Sequence, residues 1–463
     1  MCASRLMPVL NLYDTASREI RELKQRDPGR IGIYLCGPTV YGPPHLGHGR
    51  ATVVYDILRR YLEWCGVEVR LVSNVTDIDD KIIDRAQREN RPWSEIADRC
   101  EDVWFEAMGK LGVLKPTDID TPHATEYVEQ MVEMIGKLMA SKSAYVTGDG
   151  VYMDVITVSD YGLLALQPLD EMLSGGGDRE VFGAAEKRSA ADFALWKFSK
   201  PNEPSWPSPW GAGRPGWHSE CVVMSLALLG EDFDLHCGGM DLRFPHHENE
   251  RAQAVALNKI FAHHWMHHAF IVDAEGVKMS KSLGNVDSLL DLIEHYDPRA
   301  FRMILLQAHY RSPVKVGQDT IDAAVKSVAG LDAFVTRMSN LAIRAPDQIA
   351  LTRFREIMDD DLDTPGATAH IFDTVRQANT ALDQGDTDRA ASLAAAVIDM
   401  FKAVGLMLRT ADDIDASIVQ RAADLDSARA TKDFAAADAI RDELQSAGYL
   451  VETTKEGTRV RRG

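Results

Sequence analysis

Two short stretches carry side chains whose types and spacing suit work on phosphates. In YLCGPTVYGPPHLGHGR (34–50), His45 and His48 stand three residues apart and frame Gly47. If this segment opens a helix, its first backbone N–H groups attract anions. Two imidazoles in that turn would add donors for an α-phosphate under attack, and Gly47 is small enough to let a flat base or a phosphate come close. An HxGH string alone reads equally well as a helix cap with incidental histidines. In GVKMSKSLGN (276–285), Lys278 and Lys281 are again three apart, with Ser280 beside them. Such a cationic loop is fit to clasp a β,γ-pyrophosphate, although in isolation it would pass for any basic surface loop. Cys36, in the first stretch, raises the further question of a metal.

The elements that must position these groups follow from the neighbouring sequence. RIGIYLCG (30–37) is a compact apolar run stopped by Gly37-Pro38, which predicts a strand. RATVVYDILRRYLEWCG (50–66) has helical spacing in Val53, Val54, Ile57, Leu58, Tyr61 and Leu62, with Gly66 as its stop. VEVRLVSNVTDID (67–79) predicts a second strand and its exit loop. Strand, glycine-bearing loop, helix and strand make a βαβ unit, hence a parallel sheet with a right-handed crossover. Ligands of such sheets bind beyond the carboxyl ends of the strands, where the HxGH loop falls. From about 120 to 215 the signal is mixed, with strand-like VYMDV (151–155), flexible SGGGD (174–178) and SKPNEPSWPSPWGAGRPG (199–216). This reads as an insertion, with re-entry at GWHSECVVMS and another core strand in FDLHCGG (233–239). No proline follows Pro365, and Thr364 is the expected N-cap with Pro365 at the first helical position. A helical C-terminal domain is expected after a linker near 330 to 345.

A chain of 463 residues is too long for one compact core. Its 45% hydrophobic and 26% charged residues are those of a soluble globular protein. The start lacks a basic stretch followed by an apolar one, so no secretory signal is expected, and no apolar run is long enough for a membrane span. Six cysteines (Cys2, Cys36, Cys65, Cys100, Cys221, Cys237) lie at long spacings. They predict reduced thiols and a cytoplasmic location, with metal binding as the use of interest. A net charge of −19 excludes indiscriminate nucleic-acid binding. It leaves room for one selective RNA partner met through a local basic patch. TTKEGTRVRRG offers one, with Lys455, Arg459, Arg461 and Arg462 against Glu456; a solvated terminus is the plainer reading.

HLGH followed by KMSKS resembles the two signature motifs of the class I aminoacyl-tRNA synthetases. YLCGPTVYGPPHLGH, NVTDIDDKI, RPGWHSECVVMS, GGMDLRFPHHENE and KDFAAADAIRDEL together resemble the cysteinyl-tRNA synthetases over essentially the whole chain. The resemblance implies an α/β fold: a Rossmann-like parallel-sheet catalytic domain with an insertion (connective) domain, followed by a C-terminal α-helical bundle. It implies a first half of the catalytic domain at 1–120, the connective insertion at 121–215 and a second half at 216–265. The KMSKS loop and stem-contact region then take 266–330, and a tRNA- and anticodon-binding helical domain takes 331–463. Cys36, Cys221, His246 and Glu250 match the family's zinc ligands; the last two, four apart, share one face if helical. Gly37, Thr39, Thr76, Trp217 and His236 match the amino-acid pocket, and Gly239 and Asp241 the adenosine site, with Asp241 as ribose acceptor. His45, His48, Lys278 and Lys281 are the expected catalytic donors, with Gly47 and Ser280 also on ATP. The implied reaction joins cysteine to ATP as cysteinyl-adenylate, with Mg²⁺ as companion, and then charges the 2′-hydroxyl of tRNA(Cys). The expected state is a monomer, and no room is left for an editing domain.

The metal answers a selectivity problem. Shape alone separates near-isosteres such as cysteine and serine by only about 10- to 200-fold, whereas soft thiolate binding to Zn²⁺ reads the one property serine lacks. Two positions depart from the family: Cys237 stands where relatives carry glycine, and Val460 where many carry tryptophan. Two rivals remain on sequence grounds. One is a zinc-dependent ligase joining cysteine to glucosaminyl-inositol, which would lack the long C-terminal region. The other is a non-catalytic paralogue, which should have lost a zinc ligand or a KMSKS lysine; here none is missing.

Overall fold

The computed structural model describes residues 10–165, 186–272, 288–410, 416–454 and 457–462. SGGGD, Lys278, Ser280, Lys281, Lys455 and Glu456 lie outside the described residues.

A four-stranded parallel sheet organises the site. Its spatial order is Ala262–His268, Phe233–Gly239, Arg30–Leu35, Glu68–Ser73. Tyr34 pairs with His236 on one side and with Val72 on the other. Chain order therefore reverses between Arg30–Leu35 and Phe233–Gly239, which opens a crevice at their carboxyl ends. FDLHCGG is a strand buried along its whole length, as expected of a parallel sheet covered on both faces. The crossover helix is Leu46–Trp64, four residues longer at its start than the apolar spacing alone predicts, and Gly66 leaves it at φ +90°. Val53, Ile57, Leu58, Tyr61 and Leu62 face inward along it, and Tyr34, Val72, Met224, Phe233 and Trp265 form the adjoining core.

The insertion has its own antiparallel sheet, Ala144–Val146, Gly150–Met153, Phe193–Phe198 and Gly213–Pro215 in that order. Val151, Met153, Leu195 and Trp196 give it a separate apolar cluster. Chain re-entry is the helix Trp217–Leu229.

The chain divides into two compact units. The first comprises Met1–Ala324, Thr352–His370 and Lys402–Leu406; the second comprises Val325–Leu351, Ile371–Phe401 and Met407–Gly463. In the first, Asp361 is buried and accepts hydrogen bonds from Tyr13 N–H (2.8 Å) and Tyr310 Oη (2.6 Å). Asp361 and Leu362 take φ of 54° and 53°, turning the chain ahead of the next helix. That early turn makes Asp363 the cap, its Oδ1 accepting Gly366 N–H at 2.9 Å. Thr364, the expected cap, is the first helical residue instead, and its hydroxyl donates to Ala308 O.

The helix Gln318–Met338 takes the first part of the linker expected near 330 to 345, and 339–345 stay non-helical. Leu331, Phe334, Val335 and Met338 are buried at helical spacing and no proline intervenes before Pro346. The second unit is helical, but it ends differently from the bundle expected. After helices Ala416–Ala430 and Phe434–Ser446 comes an antiparallel hairpin, Tyr449–Thr454 with Gly457–Arg462. Val460 packs there with Leu425, Ile440, Leu444 and Tyr449 in a small core.

Candidate active site and metal centre

The histidine pair builds itself locally. His45 is the N-cap of the Leu46–Trp64 helix, with extended backbone, and its Nδ1 accepts His48 N–H at 3.3 Å. His48 Nδ1 reciprocates by accepting His45 N–H at 3.3 Å, a capping box made with two imidazoles. Because both Nδ1 atoms accept, each neutral ring carries its proton on Nε2. The rings stack with centroids 3.6 Å apart, and Trp104 meets His48 edge-on at 5.1 Å. A Cβ on Gly47 would lie 3.0 Å from the His45 ring, so a side chain there would press on the stack. His45 also pairs as an isolated bridge with Ser288, and Ile271 lines the same cavity. Of the described flanks of the KMSKS segment, Ser288 thus meets His45 and Ile271 borders the cavity.

The four expected zinc ligands converge from three segments. Cys36 follows the first strand, its N–H donating to Cys237 O (3.3 Å) at the point where strand order reverses. Cys221 lies on the Trp217–Leu229 helix, and His246 and Glu250 flank the join of the Arg243–His247 turn with the helix Glu248–Ala256. Cys36 Sγ is 3.7 Å from Cys221 Sγ and 3.5 Å from Glu250 Oε1; His246 Nε2 is 3.6 Å from Cys221 Sγ and 3.0 Å from Glu250 Oε1. All four donor atoms lie within 4.8 Å of one another, as do those of Cys36, His236, His247 and Glu250. Burial, then the neighbouring Cys221 and Glu250, push the Cys36 thiol well up, and burial holds His246 neutral. Three acids crowded together, with Cys221 and Glu250 buried, call for a counter-charge. Two thiolates, a neutral imidazole and a carboxylate fit Zn²⁺.

A second layer holds these ligands in place. His218 Nδ1 lies 2.9 Å from His246 Nδ1, which aims His246 Nε2 at the cluster. Trp217 stacks on the His246 ring at 4.0 Å. His236 Nε2 donates to Glu250 Oε2 at 2.8 Å, and Asn74 Oδ1 takes both Gly37 N–H (3.0 Å) and the Cys221 thiol (3.7 Å). Outer partners of this kind fix ligand orientation.

A cavity of about 390 Å³ joins the two ends. Cys36, Gly37, Thr39 and Trp217 line it at the metal end; His45, Gly47 and His48 line it at the other, with Gly239 and Asp241 beside them. Thr76 and His236 are not on its wall. Thr76 is buried behind it, bridged by backbone to Thr39, its hydroxyl donating to Glu220 Oε2 at 2.9 Å. Burial pushes the Glu220 carboxyl well up. At Gly37 a Cβ would fall 1.7 Å from Asn74 O, so no side chain fits. Arg50, fully buried beneath the histidine pair, donates to Phe270 O (2.7 Å), Tyr310 O (2.9 Å) and Ser312 O (2.7 Å). Among the described residues it has no carboxylate partner; burial lowers its pKa to about 10, so it stays cationic at neutral pH and favours anionic ligands. Cys237 is buried, with its thiol pushed well up, which makes it inert packing rather than an oxidation site.

His218, Asn74 and Arg50 escape the sequence reading. His218 carried a signal, standing three residues before Cys221 in RPGWHSEC. Asn74 and Arg50 carried none, since their partners are far away in sequence.

Comparison with known proteins agrees with this geometry. A family model described as tRNA synthetases class I (C) catalytic domain matches residues 22–326, and one described as DALR domain matches 353–409. A solved Mycobacterium tuberculosis methionyl-tRNA synthetase in complex with methionyl-adenylate superposes with TM-score 0.60 at 15% identity, over 88% of this chain and 96% of that one. The Agrobacterium radiobacter K84 LeuRS of a ternary complex with tRNA and LeuAMS does so with TM-score 0.60 at 12% identity, over 83% and 84%. These two show the fold, that of a class I synthetase. A Cysteine--tRNA ligase of Streptomyces coelicolor is 42% identical over 97% of this chain and 75% of its own length. The chain belongs to the cysteine–tRNA ligase family of class I aminoacyl-tRNA synthetases. The sugar-ligase alternative draws no support from these matches. Among the described residues, no helix is long and apolar enough to cross a membrane.

Proposed function

We propose that the chain activates L-cysteine with ATP, giving cysteinyl-adenylate and pyrophosphate, and then transfers cysteine to the terminal adenosine of tRNA(Cys). One observation carries the reading: Cys36 of the thiol cluster and the His45–His48 pair line a single cavity. The cysteine carboxylate, already ionised, attacks the α-phosphorus as the bond to the pyrophosphate oxygen breaks, so no protein base is required. Rate then comes from positioning and charge stabilisation. His45 and His48 donate from Nε2 to phosphoryl oxygens, Gly47 and the helix start admit the α-phosphate, and buried Arg50 adds positive potential. Lys278, Ser280 and Lys281 clasp the β,γ-pyrophosphate, with Mg²⁺ alongside.

Cys36, Cys221, His246 and Glu250 would hold a zinc ion, which supplies a Lewis acid that prefers a thiolate to an alkyl hydroxyl. Gly37, Thr39 and Trp217 shape the amino-acid end, while Thr76 and His236 steady its wall from behind. Gly239 and Asp241 receive the adenosine. We place the reaction in the cytoplasm and carry it out with a monomer. ATP–pyrophosphate exchange tests the reading. It should depend on cysteine, ignore serine and precede charging of tRNA(Cys); exchange driven equally by serine would refute it.

A further inference from the structure

Beside the candidate metal ligands stands a hydroxyl that no contact uses. Tyr34 lies two residues before Cys36, so both side chains leave the sheet on one face, as does His236, paired with Tyr34 on the neighbouring strand. The Tyr34 ring is fully buried, with His236 at 5.4 Å and Phe233 at 6.5 Å between centroids. It shares one core cluster with Cys221, and Cys36 packs against that cluster. Tyr34 Oη has no hydrogen-bond partner among the described residues. Burial raises its pKa well above the usual value, and the charges of Cys221, Cys36 and Glu250 act in the same direction. A phenol is protonated near pH 7 in any case, so Oη is a donor, and a buried donor without an acceptor is unfavourable.

Cys221 has the complementary need. As a thiol it donates to Asn74 Oδ1 at 3.7 Å. The Asn74 amide is not free to turn its nitrogen toward the sulfur, because Nδ2 donates to Thr76 Oγ1 (3.3 Å) and Oδ1 accepts Gly37 N–H (3.0 Å). A cysteine that ligates a metal does so as thiolate, and the Cys221 sulfur then becomes an acceptor facing an acceptor. Cys36 Sγ, 3.7 Å away, is deprotonated with it and offers no proton either. Glu250 already has its donor in His236 Nε2. Two thiolates and a carboxylate outweigh the charge of Zn²⁺, so a donor on sulfur eases the arrival of one more anion.

We propose that Tyr34 is a positioning residue for the metal cluster, its Oη donating to the Cys221 thiolate. The contact sustains both metal affinity and the capacity of the cluster for a substrate thiolate. This rests on the zinc reading of the cluster given above.

The test is Tyr34→Phe, which removes the hydroxyl and keeps the ring. Zinc should bind about 10- to 100-fold more weakly in chelator competition. With Co²⁺ in place of zinc, the sulfur-to-metal charge-transfer band should move to lower energy, since a thiolate without its donor gives up charge more readily. Chelator-stripped variant should melt no lower than stripped wild type, because it has lost an orphaned polar group. With zinc saturating, KM for cysteine in ATP–pyrophosphate exchange should rise while KM for ATP holds. If Tyr34→Phe does not fold, Tyr34→Met takes its place. A folded variant with wild-type zinc affinity and an unmoved charge-transfer band overturns the Tyr34 assignment alone. Wild-type protein that takes up no zinc overturns the metal reading along with it.

Discussion

The histidine pair comes from four consecutive residues that cap their own helix, whereas the candidate metal ligands Cys36, Cys221, His246 and Glu250 come from three separated segments. The pair is half-buried, and His45 is bridged to Ser288. In the candidate metal cluster Cys221, His246 and Glu250 are buried, and each leans on another residue: His246 on His218, Glu250 on His236, Cys221 on Asn74. A local motif can tolerate loss of one donor and keep its shape. A charged cluster assembled over long range cannot, because each removed ligand leaves its partners buried without compensation.

Substitutions at the two ends should separate these behaviours. Cys221→Ser should have the largest effect: zinc lost from the purified protein by elemental analysis, and cysteine-dependent exchange down by more than about a hundredfold, beyond what loss of an outer partner costs. His48→Ala should lower kcat for exchange about a hundredfold, the scale of one lost transition-state donor, while metal content and melting temperature hold. Loss of zinc in that variant would break the proposed separation. His218→Ala should weaken zinc about 10- to 100-fold in chelator competition, with phosphate-end kinetics unchanged once metal is saturating.

Two smaller effects mark regions away from both ends. Val460→Ala should cost the small C-terminal core about 1 to 2 kcal/mol in denaturant unfolding and leave pyrophosphate exchange intact. His123 Nε2 lies 2.9 Å from Glu101 Oε2, and that pairing raises the His123 pKa above 6.5. The stability it adds is fully present below pH 6.5 and is lost as pH rises through the raised value; His123→Gln should flatten that slope in melting temperature against pH.

The same contrast explains what could be read from sequence. The βαβ unit and the HxGH turn are local, so apolar spacing and a glycine stop announce them. The metal set is not local: Cys36 alone reads as strand-end packing, and only resemblance to a family joins it to positions over 180 residues away. Val460 is hidden for a related reason. In TTKEGTRVRRG one apolar residue among charges reads as a solvated tail, yet strand pairing with Val451 turns that residue into a core. The cap of the Thr364–Asp383 helix moved to Asp363 because buried Asp361 forces an earlier turn, and nothing in the spacing marks Asp361 as buried.

Selection of cysteine by sulfur at the metal centre is the central claim, and zinc-edge X-ray absorption on the purified protein measures it. Adding cysteine should add one sulfur to the zinc environment, and adding serine should change nothing. A zinc environment identical with and without cysteine would contradict the account.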